Sequence, residues 1–372
     1  MRKLLVVAIV LAALLAALFA AQLVYLRPGG TWRVPPPNPE REVHRRYLLW
    51  TQLPSGAFAT EPSRTRIVPY FANYAAAALL ESRQDRPQVR RYILWYLEHL
   101  NRPDRWGFSG TVDDFAVLWS GDGTRFSEVP LNSYDSADAY AATFLSLVRA
   151  YFEATGDWQL YWERVEQFDA VAELLLRLQD SDGLFVVSPS SGGKYLMDNS
   201  VSYRGLVDWP AFQELAGRRE KAARFRQAAD ALARGFRDWP REPTCLAWAI
   251  HPGGKAKQSN PERWYPDGVA QLYPGLFGLR PPQSVEAQKA YEELNRSFPG
   301  WPDLDTPDTY PWTMVAYAAA GLGDRERVDR FRQAVSRQYP QLQFPWYSLE
   351  SALYLRLLAR PSARLLLPQW LR

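Results

Sequence analysis

Two carboxylates three positions apart open the segment Tyr134–Tyr151, YDSADAYAATFLSLVRAY. Asp135 and Asp138 stand where a helix should begin. Behind them come Ala139, Ala141, Ala142, Phe144, Leu145, Leu147 and Val148, with little charge until Arg149. A surface helix has a polar side, so this one reads as buried among other helices, with acids at its mouth. An acid at a helix start is also a natural N-cap, favoured by the macrodipole. Each carboxylate taken singly therefore has a structural reading beside a chemical one.

The pairing recurs. Glu61 precedes Tyr70, Asp198 follows Tyr195, and Trp264 and Tyr265 stand beside Asp267. Asp308 stands with Tyr310 and Trp312, and Trp346 and Tyr347 with Glu350. Aromatic faces stack on the C–H faces of sugar rings, and carboxylates bind hydroxyls or exchange protons. Hydrolysis of a glycosidic bond needs two carboxyl groups flanking it. Asp113 and Asp114, in GTVDDF, sit with Trp106 in a long aromatic loop, 101–132. Loops of that length inside a compact body are usually functional, although adjacent loop acids are also often only solvated.

The elements that must position these residues alternate. Charged amphipathic helices are predicted over 41–52, 89–100, 158–178, 218–238, 284–297 and 324–339. Weakly charged ones are predicted over 67–80, 134–151, 199–215, 266–279, 307–322 and 346–358. A short strand or hairpin is predicted at Leu184–Val187. A helix apolar around most of its surface is buried, and one with a polar face lies outside. Six inner and six outer helices in sequential hairpins predict an all-α (α/α)6 six-hairpin toroid with a few short strands in loops. The loops entering the inner helices are mostly long, so their starts, with their acids and aromatics, gather at one end.

Composition narrows the function classes. The 372-residue chain carries 15 Trp and 20 Tyr and a net charge of only +4. Without a concentrated basic run, no nucleic-acid partner is expected. The single Cys245 and the scattered His44, His99 and His251 have no ligand spacing, so neither metal nor cofactor is expected. Arg2 and Lys3 precede an uncharged run, Leu4–Leu26. As a helix it would span roughly 34 Å, enough to cross a bilayer. The expected organisation is a signal anchor or signal peptide over 1–27, a Pro/Gly-rich tether over 28–38 and the helical domain over 39–372. The body is then extracytoplasmic, held at the membrane or secreted, and is expected to be monomeric.

The segments IVPYFANYAAAAL, YDSADAYAATFL, WYPDGVAQLYPGLFG and WYSLESALYL resemble the six-hairpin glycosidase superfamily, over roughly residues 39–361. More distantly the chain is similar to glycoside hydrolase family 8, inverting enzymes on β-1,4 glucans and related polymers. In that family an Asp-rich motif opens the second inner helix, and YDSADAYA is similar to it. A Glu before the first inner helix is the family's general acid. Glu61 has that place, in a Thr-Glu-Pro context rather than Ser-Glu-Gly. The resemblance implies Glu61 as acid, Asp135 holding a distorted sugar, and Asp138 or Asp114 activating water. The recurring acids and aromatics at the helix starts and in the long loop add the expected contacts of a polysaccharide or oligosaccharide substrate: Asp113, Trp106, Tyr134, Asp198, Trp264, Tyr265, Asp267, Asp308, Trp312, Trp346 and Glu350. Two other readings stay open, a glycan-binding protein without turnover in envelope polysaccharide assembly and a polysaccharide lyase. An isoprenoid enzyme of similar architecture is disfavoured, because VDDF is not the Asp-rich motif its magnesium chemistry needs.

Overall fold

The computed structural model describes residues 40–243 and 245–359. The expected membrane segment, its tether and the closing PSARLLLPQWLR lie outside those residues. Among the described residues no helix is long and apolar enough to cross a membrane.

The described chain is mostly helical. In order the helices are α1 (Glu40–Thr51), α2 (Pro69–Leu79), α3 (Arg86–Glu98), α4 (Ala137–Thr155), α5 (Trp158–Glu163), α6 (Val165–Arg177), α7 (Leu196–Leu215), α8 (Arg219–Arg237), α9 (Tyr273–Leu276), α10 (Val285–Ser297), α11 (Thr313–Gly321), α12 (Arg325–Gln338) and α13 (Ser348–Ala359). Helices α2, α4, α7, α11 and α13 are buried over much of their surface. Helices α8, α10 and α12 bury only an apolar stripe, such as Phe225, Leu232 and Phe236 of α8. The predicted alternation is present among these elements and fails at 266–279, and no closed barrel is evident among the described residues.

Three local differences have local causes. The helix expected over 158–178 divides into α5 and α6 at Arg164, whose φ of −124° and ψ of 17° leave the helical region. The helix expected over 266–279 shrinks to an irregular turn, Trp264–Gly268, and the short α9. Pro266 and Pro274 lack the amide a helix interior needs, and Gly268, Gly275 and Gly278 weaken what is left. Leu184–Val187 forms no strand, only a bridge between Gln179 and Phe185.

Strands appear instead in two small antiparallel sheets. One joins β1 (Arg66–Ile67), β2 (Phe115–Trp119) and β3 (Phe126–Pro130). Its register sets Arg66 opposite Ala116 and Ile67 opposite Phe115, which pins the long loop to the entrance of α2. The other joins β4 (Lys194–Tyr195), β5 (Ala249–Ile250) and β6 (Ala256–Lys257), with His251 in the turn between the last two.

Amphipathic neighbours are tied by a repeated device. After α1, Gln52 Nε2 donates to Gly56 O at 3.0 Å and to Gln88 O, in the first turn of α3, at 2.8 Å. After α6, Gln179 Nε2 donates to Gly183 O and to Ala228 O of α8, both at 2.8 Å. Gly56 and Gly183 hold φ of +108° and +83° against the backbone of α3 and α8, where only glycine has room. At the other end of the chain, α13 packs on α1 and α2. Ser348 N donates to Thr60 O at 2.8 Å, and His44 Nδ1 lies 3.1 Å from Ser351 Oγ.

The buried helices α4 and α7 approach closely at Gly205. A Cβ on Gly205 would lie 2.7 Å from Ala142 Cα and 2.9 Å from its carbonyl oxygen. Replacing a helix glycine by alanine gains about 1 kcal/mol of propensity. Overpacking against atoms that cannot rotate away costs about 3 kcal/mol, so the clash wins. Gly205→Ala is expected to lower unfolding free energy by about 2 kcal/mol, read by urea denaturation. A stabilised variant would refute the close contact.

Candidate active site

The starts of the buried helices surround a cavity of about 640 Å³. Eight of the residues expected to act on or touch substrate line it: Glu61, Asp114, Asp135, Asp198, Tyr265, Asp308, Trp312 and Glu350. Seven do not. Trp346 is fully buried, with Nε1 donating to Ser351 Oγ at 2.7 Å. Trp264 is buried with its edge on Phe298 and Trp312. Asp267 accepts from Asn260 N at 2.8 Å and pairs with Arg263, which makes it a structural acid. Trp106 and Tyr134 meet edge to face at 5.3 Å, and Tyr134 Oη donates to Asp104 Oδ2 at 2.8 Å. Asp113 is buried beside that loop, and burial raises its carboxyl above the usual range. Asp138 is fully buried, its Oδ2 accepting from Ser202 Oγ at 3.3 Å and its Oδ1 without a partner. It cannot meet a substrate where it stands.

The capping reading of the two most prominent acids does not hold. Helix α4 begins after Ser136, and α7 after Tyr195, with no side-chain cap at either start. Asp135 lies outside α4 and is exposed. Asp198 lies in the first turn of α7, enclosed by the cavity walls while keeping some contact with solvent. Burial, and then the charge of Asp135, push the Asp198 carboxyl up to about 7. Both effects penalise a second negative charge in a place poor in water. Burial also raises Asp138 well above the carboxylate range, reinforced by Asp198. Three acids thus share a neighbourhood that resists full ionisation.

The other carboxylates are held differently. Asp114 accepts from Arg66 Nη2 and from Tyr140 Oη, both at 2.8 Å. Burial still raises its pKa, against these two bonds. Both its oxygens are committed, so it is a fixed part of the wall rather than a free base. Arg66 and Tyr140 were not singled out by sequence. A two-residue strand leaves no periodic signal for Arg66, whereas Tyr140 closes the YDSADAY motif. Glu350 Oε2 accepts from Thr313 N at 2.7 Å, and its carboxyl is raised by burial and then by the charge of Asp308. Glu61 makes one long contact, with Thr65 Oγ1 at 3.5 Å.

Aromatic residues complete the wall. Tyr265 is half exposed, projected by the extended geometry (φ −122°, ψ 136°) that interrupts its turn. Its phenol is raised by burial and then by Asp135, Asp198 and Asp308. Trp312 stands 5.0 Å from the Tyr265 ring, and its Nε1 donates to Asp308 Oδ2 at 2.8 Å. Its φ of +55° is costly for a bulky side chain; such strain concentrates at functional sites. Tyr310, Tyr347, Tyr70 and Tyr273 line the remaining side.

No family model and no curated protein matches the chain. Solved structures do. A glycosidase is 15% identical with a TM-score of 0.58, over 88% of this chain and 96% of its own. A rhamnosidase from Klebsiella oxytoca with rhamnose bound is 14% identical with a TM-score of 0.59, over 90% of this chain and 67% of its own. An uncharacterised conserved protein from Thermus thermophilus is 14% identical with a TM-score of 0.60, over 86% of this chain and 100% of its own. At these identities the likeness establishes a fold shared with glycosidases.

The burial of Asp138 sets a test. A carboxyl whose folded pKa lies above its unfolded value costs stability as pH rises past the unfolded value. Asp138→Asn removes that cost, because the amide never ionises. Its unfolding midpoint, relative to the native chain, is expected to rise more at pH 8 than at pH 4. An equal difference at both pH values would place Asp138 in a solvated site.

Proposed function

We propose that the chain is a glycoside hydrolase of six-hairpin toroid architecture, acting on a neutral polysaccharide or oligosaccharide by an inverting two-carboxylate mechanism. The observation that carries this is Asp198 enclosed in an aromatic cavity beside Asp135, where burial and then the charge of Asp135 push its carboxyl up to about 7. An acid catalyst works best with a pKa near the operating pH. Tuning one carboxyl upward beside an ionised partner divides the two roles. The glycosidases that share the fold support the same reading.

Asp198 then protonates the glycosidic oxygen. The bond from that oxygen to the anomeric carbon breaks, and its electron pair leaves with the departing sugar. Water attacks the anomeric carbon from the opposite face and gives a proton to an ionised carboxylate. Asp135 fits that role, because no described side chain hydrogen-bonds to its carboxylate. Glu61, on another part of the wall, is the second candidate. The family resemblance makes Glu61 the acid, but the surroundings of Asp198 suit a proton donor better. Asp114 is excluded as base by its bonds to Arg66 and Tyr140.

Charge balance opposes the lyase reading. The cavity wall carries Glu61, Asp114, Asp135, Asp198, Asp308 and Glu350 against Arg66, which already pairs with Asp114. A uronate would meet like charge, and among the described residues of the wall no cation stands free to receive it, a costly arrangement. A tethered body outside the cytoplasm, held by residues 1–27, belongs to the same proposal. A fractionated membrane pellet carrying the full chain would support it.

With neutral oligosaccharides as substrates, kcat/KM is expected to fall as pH rises through about 7, where Asp198 loses its proton. Asp198→Asn is expected to lower kcat by about 10³-fold, and the first product is expected to carry the inverted anomeric configuration by NMR. In Asp135→Asn the Asp198 carboxyl, followed by NMR titration, is expected to ionise at lower pH because a like charge is gone. Binding of glycans without any turnover would refute the hydrolase and leave a glycan-binding protein.

A further inference from the structure

Phe344 is 65% exposed, the most exposed of the large apolar side chains among the described residues. It does not line the cavity, but it stands against a residue that does. Its ring meets Tyr347 edge to face, with centroids 5.8 Å apart. Tyr347 also faces Tyr310 at 5.3 Å and Phe71 at 5.7 Å. Tyr310 is itself 42% exposed. The four rings run from the cavity wall outward without a gap.

The loop carrying Phe344 is fixed at both sides. Leu342 and Trp346 are buried at 2% and 0%. Trp346 N donates to Gln343 O at 2.9 Å, Leu342 N to Tyr339 O at 3.0 Å, and Gln343 Nε2 to Gln338 O at 2.8 Å. Phe344 is therefore presented to solvent by a braced turn. Its neighbours Gln341 and Gln343 are exposed and polar. An exposed ring with amides beside it, continuous with an aromatic cavity, suits the alternating C–H faces and hydroxyls of a sugar better than a broad apolar partner, which needs a larger greasy patch.

We infer that Tyr310, Tyr347 and Phe344 form a stacking track that leads out of the cavity and receives further sugar units, so that the substrate is a neutral chain several units long rather than a disaccharide. This rests on the hydrolase reading of the cavity. An aromatic contact of this kind contributes up to about a tenfold change in affinity. The cavity holds the bond to be cut, and the track holds the chain in register with it.

The test uses the full chain and the variants Phe344→Ala and Phe344→Trp. The probes are soluble β-glucan, xylan, mannan and α-glucan, with the matching disaccharides. For the glycan that the native chain hydrolyses, the ratio of kcat/KM on polymer to that on disaccharide is expected to fall about tenfold in Phe344→Ala and to be restored in Phe344→Trp. An unchanged ratio overturns the track while leaving the hydrolase reading intact. If the native chain hydrolyses none of the probes, gel retardation in the same polymers decides. Retardation lost in Phe344→Ala supports the track and removes the hydrolase. Retardation equal in both, or absent in both, overturns the track. Circular dichroism of each variant checks that the fold is kept.

Discussion

The near-contact of α4 and α7 at Gly205 and Ala142 is the constraint on which the cavity depends. Two helix backbones can approach so closely only where one has no side chain. Because they do, the first turns of both helices lie side by side, and Asp135, Asp138 and Asp198 become neighbours. Three carboxyls cannot all carry charge in such a place. The upward push on the Asp198 carboxyl is thus a consequence of helix packing further along the same two helices. Asp138 contributes from behind: it is dry, one of its oxygens has no partner, and its own reluctance to ionise is tied to Asp198.

The same residue type does three different jobs around this centre. Asp104 and Asp267 organise loops, accepting backbone amides and side-chain hydrogen bonds. Asp114 and Asp308 brace the wall, the first through Arg66 and Tyr140, the second through Trp312. Asp135 and Asp198 combine access to the cavity, mutual repulsion and side-chain oxygens to which no described donor hydrogen-bonds. What sets the last pair apart is that the other four carboxylates already hold at least two donors each.

The aromatic residues divide similarly. Trp209, Trp239, Trp301 and Trp346 are core, each almost wholly buried. Tyr265, Trp312, Tyr310 and Tyr347 form a wall that is polar at its hydroxyls and apolar on its ring faces. That combination matches a sugar, and so does the shortage of free cations. The strained backbone at Trp312 and the irregular turn at Tyr265 are the costs of turning these rings inward.

By itself the sequence determined the alternation of buried and amphipathic helices, because the spacing of charge along a helix follows its period. It also determined that acids and aromatics gather at helix starts. It contained the two Gln-x-x-x-Gly brackets, 52–56 and 179–183, which are legible only as a repeat once their contacts are known. Only the tertiary structure decided which member of each close pair faces the cavity. Of Asp113 and Asp114, Trp264 and Tyr265, and Trp346 and Tyr347, the second of each pair lines it and the first does not. In extended chain, neighbours point to opposite sides, and nothing in the order of residues says which side is the cavity. The separation of Asp135 from Asp138 is of the same kind. One precedes the helix and meets solvent, the other lies within its first turn and meets α7. Where α4 begins, and how near α7 stands, is decided by packing.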